Sequence, residues 1–114
     1  MITIKDIAPV AVIPGFTARF VHTDTVTLAY WDILPGSRLP VHKHLHEQIT
    51  QVEEGSFELT VDAVTQVYTK GMVVVIPSMV EHGGVALTAC KLFDIFTPVR
   101  EDYKALQEAG LAVK

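Results

Sequence analysis

Short hydrophobic runs recur along this chain, and turn residues separate them. Residues 16–22 and 26–34 read as strands, and Pro35-Gly36 breaks the second. Residues 48–52 form the next run. Glu54-Gly55 then turns the chain into 56–61, where Phe57, Leu59 and Val61 alternate with Ser56, Glu58 and Thr60. That alternation is the period of a half-buried strand. Asp62-Ala63 leads into 64–68, and Lys70-Gly71 into 72–76, which Pro77 closes. Residues 80–87 and 91–96 complete the series. Short strands at roughly 8–12-residue intervals predict an all-β sandwich or barrel. The one helix predicted is C-terminal. Pro98 opens it, Glu101 and Asp102 suit its positive end, Tyr103, Leu106 and Gln107 share a narrow side, and Gly110 closes it.

Composition narrows the class. A chain of 114 residues is expected to form a single domain, 1–114. At 49% hydrophobic and 19% charged it can build a core without disulfides. The net charge of −4, with no basic run, argues against nucleic acid. A small anionic ligand stays open, because one arginine and one metal ion outweigh the global charge locally. Cys90 is the sole cysteine, so no intrachain disulfide forms, which fits a reducing compartment. The first residues lack the basic and apolar regions of a signal peptide, and the apolar stretch 72–76 is too short to span a bilayer. The expectation is a soluble cytoplasmic protein.

Three of the five histidines, His42, His44 and His46, fall within five residues, and His82 lies downstream. Imidazole is the commonest protein ligand for transition metals. On a strand, His42 and His44 would point to one face, and Gln48 has the same parity. Two solvated histidines would have the same spacing, and Pro40 before them suggests a loop. His46 shares the parity but falls outside the ligand spacing, so a pocket or surface role is expected for it. His22, on another strand, reads as structural or exposed.

Glycines and a proline are regularly placed around these histidines. Gly36, His42, His44, Gln48 and Gly55 follow the spacing of the motif G-x5-H-x-H-x3,4-E-x6-G, and Gly71, Pro77 and His82 follow G-x5-P-x-G-x2-H-x3-N. In these two blocks the chain resembles the cupin superfamily. The resemblance implies a small jelly-roll barrel (a double-stranded β-helix) with His42, His44, Gln48 and His82 as metal ligands. The chain departs from the pattern at three positions. Gln48 stands where many cupins have Glu, and Met79 and Ala86 replace the Gly and Asn of the second motif, which suggests a different turn at Met79. Neutral ligands leave the charge of a divalent ion uncompensated and so make it a stronger Lewis acid. Such a donor set suits Ni, Zn, Mn, Fe or Cu.

Asp94 lies in the middle of the apolar run 91–96. A buried carboxylate is costly, so it should pair, ligate or catalyse. Asp94 and Phe96 face one side. The segment Asp94-Ile95-Phe96-Thr97-Pro98-Val99-Arg100-Glu101-Asp102-Tyr103 resembles the pattern D-x-F-T-P-x-R-E-D-F/Y of the KdgF type of cupin. Members of that family linearise 4,5-unsaturated uronates released by pectin and alginate lyases. The resemblance makes Asp94 and Arg100 the catalytic pair, with Arg100 and Phe96 contacting the sugar acid and Arg100 taking its carboxylate bidentately. A plain ion pair between Asp94 and Arg100 or a lysine is the structural alternative. Trp31 and Tyr30 read as packing residues, with one lining the pocket. The implied function is metal-dependent isomerisation of an unsaturated uronate by a homodimer that binds neither nucleic acid nor membrane. The alternatives are a cupin dioxygenase with a three-histidine site and a non-enzymatic small-molecule sensor.

Overall fold

The computed structural model describes residues 1–110. A 3₁₀ turn at Ile4–Asp6 precedes ten strands. These are β1 Val10–Ile13, β2 Phe16–His22, β3 Thr27–Ile33, β4 Arg38–His42, β5 Glu47–Glu54, β6 Ser56–Val61, β7 Val64–Thr69, β8 Val73–Ile76, β9 His82–Ala86 and β10 Cys90–Thr97. One α-helix among the described residues, α1, spans Glu101–Glu108. The strands form a six-stranded sheet, β1-β2-β3-β10-β5-β8, and a four-stranded sheet, β4-β9-β6-β7, antiparallel throughout. This is the all-β jelly roll with a short C-terminal helix that the sequence predicts.

All eight expected strands form, and two more join them. β1 is a short edge strand. β4 contains Pro40, which reads as a breaker in isolation. It is tolerated because β4 is also an edge strand: it pairs with β9 alone, and its register is irregular between Leu39 and His42. The β5–β6 turn needs a glycine. Gly55 has φ 86°, and a Cβ there would strike the Ala89 carbonyl.

The inward positions alternate as a two-layer fold requires. Phe16, Ala18 and Phe20 on β2, Ala29, Trp31 and Ile33 on β3, and Phe57 and Leu59 on β6 are all buried. α1 packs Tyr103 and Leu106 against this core. It ends at Gly110, which has φ 70° and donates its N–H to Gln107 O at 3.3 Å.

Strand register sets depth inside the barrel. β10 lies between β3 and β5. Phe96 therefore sits level with Gln48, Asp94 with Thr50 and Ala29, and Leu92 with Val52 and Trp31. In the smaller sheet His82 is level with His42 and Val61, and Ala86 with Phe57.

Candidate metal centre and its cavity

The histidines converge, though not by sharing a strand face. His42 ends β4, His44 lies in the loop that follows, and Gln48 is already on β5. The regular strand expected to run from His42 to Gln48 is thus replaced by a crossing between the two sheets, which brings the same side chains together. One ring nitrogen from each of His42, His44 and His82 lies within 4.8 Å of the others. Their ring centroids are 4.3 Å (His42–His82), 5.0 Å (His44–His82) and 5.6 Å (His42–His44) apart.

Backbone carbonyls orient all three rings. His42 Nδ1 lies 2.8 Å from Pro40 O, His82 Nδ1 3.0 Å from Val80 O, and His44 Nδ1 3.1 Å from His46 O. A carbonyl only accepts, so each Nδ1 carries the proton and each Nε2 keeps its lone pair. His82 Nε2 is buried with no partner. Met79 N–H donates to His44 O at 2.8 Å and ties down the same loop. Met79 adopts φ 65°, so the left-handed region that glycine favours is kept although the glycine is not.

A directional chain of hydrogen bonds aims Gln48 at the same point. Trp31 Nε1–H donates to Asp94 Oδ2 at 2.9 Å, and Thr50 O–H donates to Asp94 Oδ1 at 2.6 Å. Thr50 has spent its only proton, so it accepts from Gln48 Nε2 at 2.9 Å. This leaves Gln48 Oε1 facing His44 Nε2 at 3.1 Å. His44 is neutral near pH 7, because burial, aided by the charge of Arg100, pushes its pKa down to about 4. Two lone-pair acceptors therefore meet with no proton between them, and a cation resolves that contact. The orphaned His82 Nε2 and this paired acceptor set fit a divalent transition metal held by three imidazoles and one amide oxygen.

Asp94 is 5% exposed. Burial raises its carboxyl from 3.8 to about 6, against the opposing hydrogen bonds from Thr50 and Trp31. It makes no ion pair among the described residues. Arg100, 6% exposed, pairs instead with Asp102: Nε donates to Oδ1 at 2.8 Å and Nη2 to Oδ2 at 2.6 Å. The guanidinium lies 3.8 Å from the Tyr103 ring centroid and 4.7 Å from that of Phe96. The bidentate carboxylate contact expected of Arg100 is therefore already made within the chain. The buried Nη1 alone is left without a partner. The Arg100 backbone is fixed as well. Its N–H donates to Thr27 Oγ1 at 2.8 Å, and that hydroxyl is also hydrogen-bonded with His22 Nδ1 at 2.8 Å, which gives His22 a structural part.

His42, His82, Gln48, Asp94, Phe96 and Arg100 all line one cavity of about 320 Å³ between the sheets. Trp31, Thr50 and Tyr103 line it too. Sequence reasoning passed over Thr50 and Tyr103 as site residues and left the choice between Tyr30 and Trp31 open. Thr50 has the parity of Gln48, a signal that needed the β5–β10 register to be read. Tyr30 turns outward and stacks on Phe93 at 4.9 Å. His46 is half-buried beside Phe96 and outside the triad, and its contribution to the triad is the carbonyl that orients His44. Cys90 is buried, donates to the Ser56 and Thr88 carbonyls, and has its thiol pKa raised by burial. No described helix is long and apolar enough to cross a membrane.

Comparison with known proteins agrees with this fold. A cupin from Shewanella frigidimarina, described as RmlC-like, is 29% identical with a TM-score of 0.86, covering 90% of this chain and 94% of that one. KdgF from Halomonas sp. is 28% identical with a TM-score of 0.79, covering 83% and 89%. The polyketide cyclase RemF from Streptomyces resistomycificus, 23% identical with a TM-score of 0.77 over 88% and 82%, shares the fold. No curated protein matches in sequence. The family model described as a cupin domain matches residues 29–96, the stretch that runs from β3 through both histidine blocks to Phe96, and the chain belongs to the cupin family.

Proposed function

We propose that this chain is a metal-dependent sugar-acid isomerase that opens 4,5-unsaturated uronates to linear keto acids. It acts as one cupin domain in the cytoplasm and as a homodimer. One observation carries the reading. A single cavity joins a three-histidine cluster to a buried carboxylate tuned to about 6 and to a buried guanidinium nitrogen that has no partner. The likeness to KdgF supports the choice of substrate.

His42, His44, His82 and Gln48 would hold the metal, which supplies Lewis acidity toward oxygen. Arg100 Nη1 donates to the substrate carboxylate, and its ring stack on Tyr103 and Phe96 keeps it in place. Asp94 takes the proton of the anomeric hydroxyl. The bond from the anomeric carbon to the ring oxygen then breaks, leaving an aldehyde at one end and an enolate at the other. The proton is then delivered to the alkene carbon, which turns the enolate into the ketone of a linear keto acid. Atoms and electrons balance, with no oxidant and no organic cofactor. A carboxyl with a pKa near 6 suits both halves of this transfer near neutral pH.

The test is loss of the conjugated acid's ultraviolet absorbance. Metal-loaded protein should accelerate it over the spontaneous rate. Chelator-treated protein should not, and Asp94→Asn should lower kcat by about 100-fold or more. No acceleration with metal bound would sink the uronate assignment.

A further inference from the structure

The cavity has two chemically different ends, and the proposed reaction uses one of them. Gln48, His82 and Phe96 lie level with the histidines, and Thr50 and Asp94 occupy the next level. Beyond them Val52, Leu92 and Trp31 stand in register, and Phe57 comes from the second sheet. Ile33 and Phe16 close the far end. Two polar side-chain atoms belong to this part of the lining: Trp31 Nε1, whose proton is already given to Asp94, and the hydroxyl of Tyr68, which stands opposite Phe57. A close-packed core leaves no space between such residues, yet the cavity reaches all of them. Its volume of about 320 Å³ exceeds the ~150 Å³ that holds a benzene in an apolar cavity, so a polar head and a ring-sized apolar group fit together. A free uronate carries oxygen on almost every carbon. Several hydroxyls set against Val52, Leu92 and Phe57 would leave water with the Tyr68 hydroxyl as the one side-chain partner on that side.

We infer that the acid this chain takes carries an apolar group, alkyl or aryl, on the side away from its carboxylate, seated against Val52, Leu92 and Phe57. This rests on the polar end working as proposed above, and it narrows the substrate class. Ring opening needs a free anomeric hydroxyl, so on a uronate the group hangs from another ring oxygen as an ether or ester.

Trp31 is the only tryptophan and lines the cavity, so its fluorescence reports binding. The zinc-loaded chain is titrated with straight-chain α-hydroxy acids, from glycolate to α-hydroxyoctanoate. Affinity should rise about fourfold per methylene until the cavity is filled. Val52→Phe should abolish the rise while leaving glycolate binding intact. Val12→Phe, at a half-buried lining position on β1, provides the same test if the first variant folds poorly. A flat series, or the same rise in both filled variants, would overturn the inference. The uronate assay fails independently: a steep series without ring opening sinks the uronate reading alone, and ring opening with a flat series sinks the apolar seat alone.

Discussion

Asp94 carries two opposed demands, and pH separates them. Its carboxyl titrates near 3.9 in an unfolded chain and at about 6 in the fold. Between those values the folded protein binds more protons than the unfolded one. The contribution of Asp94 to stability is thus fully present below about pH 4 and is lost as pH rises through about 6. The loss is on the order of 3 kcal/mol. His44 acts with the opposite sign, since its pKa is lowered to about 4, and stability it contributes at neutral pH is lost on acidification. The difference between two proteins is therefore the clean readout. On metal-free protein, the urea midpoint of Asp94→Asn should pull ahead of the wild type progressively from pH 4 to pH 7. The asparagine amide cannot accept from both Trp31 and Thr50, which trims the gain below the full amount. A constant offset across that range would mean that Asp94 is not the buried acid the hydrogen bonds describe.

At the scale of elements, α1 owes its place to one aromatic side chain. Its N-cap, Arg100, makes no side-chain cap bond, and at eight residues the helix is too short to persist alone. Tyr103 instead stacks on Phe20 at 4.8 Å and meets Trp31 and Phe96 edge-on at 5.9 and 5.6 Å. Tyr103→Ala should cost about 3 kcal/mol and release Arg100 from its aromatic seat. Hydrogen exchange should then rise in 101–108 and at Arg100 while β5 and β10 stay protected. Exchange unchanged in the helix would show that Leu106 holds it without Tyr103. The sequence made this helix and eight strands legible because each announces itself through local alternation or punctuation. β4 escaped because an edge strand tolerates Pro40, a fact about its neighbours. The converging histidines were legible from motif spacing, whereas the supposed path between them was not: β4 and β5 belong to different sheets, and no local period encodes that crossing. Thr50 and the Asp102 clamp on Arg100 became visible only through register and side-chain contacts.

At the scale of the whole molecule, the outer face of the six-stranded sheet has the layout of an interface. Val21, Leu28, Ile95, Ile49 and Val75 stand in consecutive register across β2, β3, β10, β5 and β8. Tyr30 and Phe93 stack in the next row. Val75 is 55% exposed and Val73 53%, while Asp32, bound to Lys91 and Arg19, puts charge at the margin. An apolar centre with a charged rim is what a second copy of the same sheet would cover under twofold symmetry. The proposed homodimer therefore has a definite test. Light scattering should give twice the chain mass for the wild type, and Ile49→Glu should give the monomer mass. Two carboxylates would face each other across the symmetric interface, yet in the monomer the new side chain points to solvent from a half-buried position, so the fold should survive. Ile49 flanks Gln48 and Thr50 in sequence but lies on the opposite side of the sheet, so zinc binding by the monomeric variant should match the wild type. A dimer that persists in Ile49→Glu would move the interface to another face, and a monomeric wild type would end the homodimer proposal.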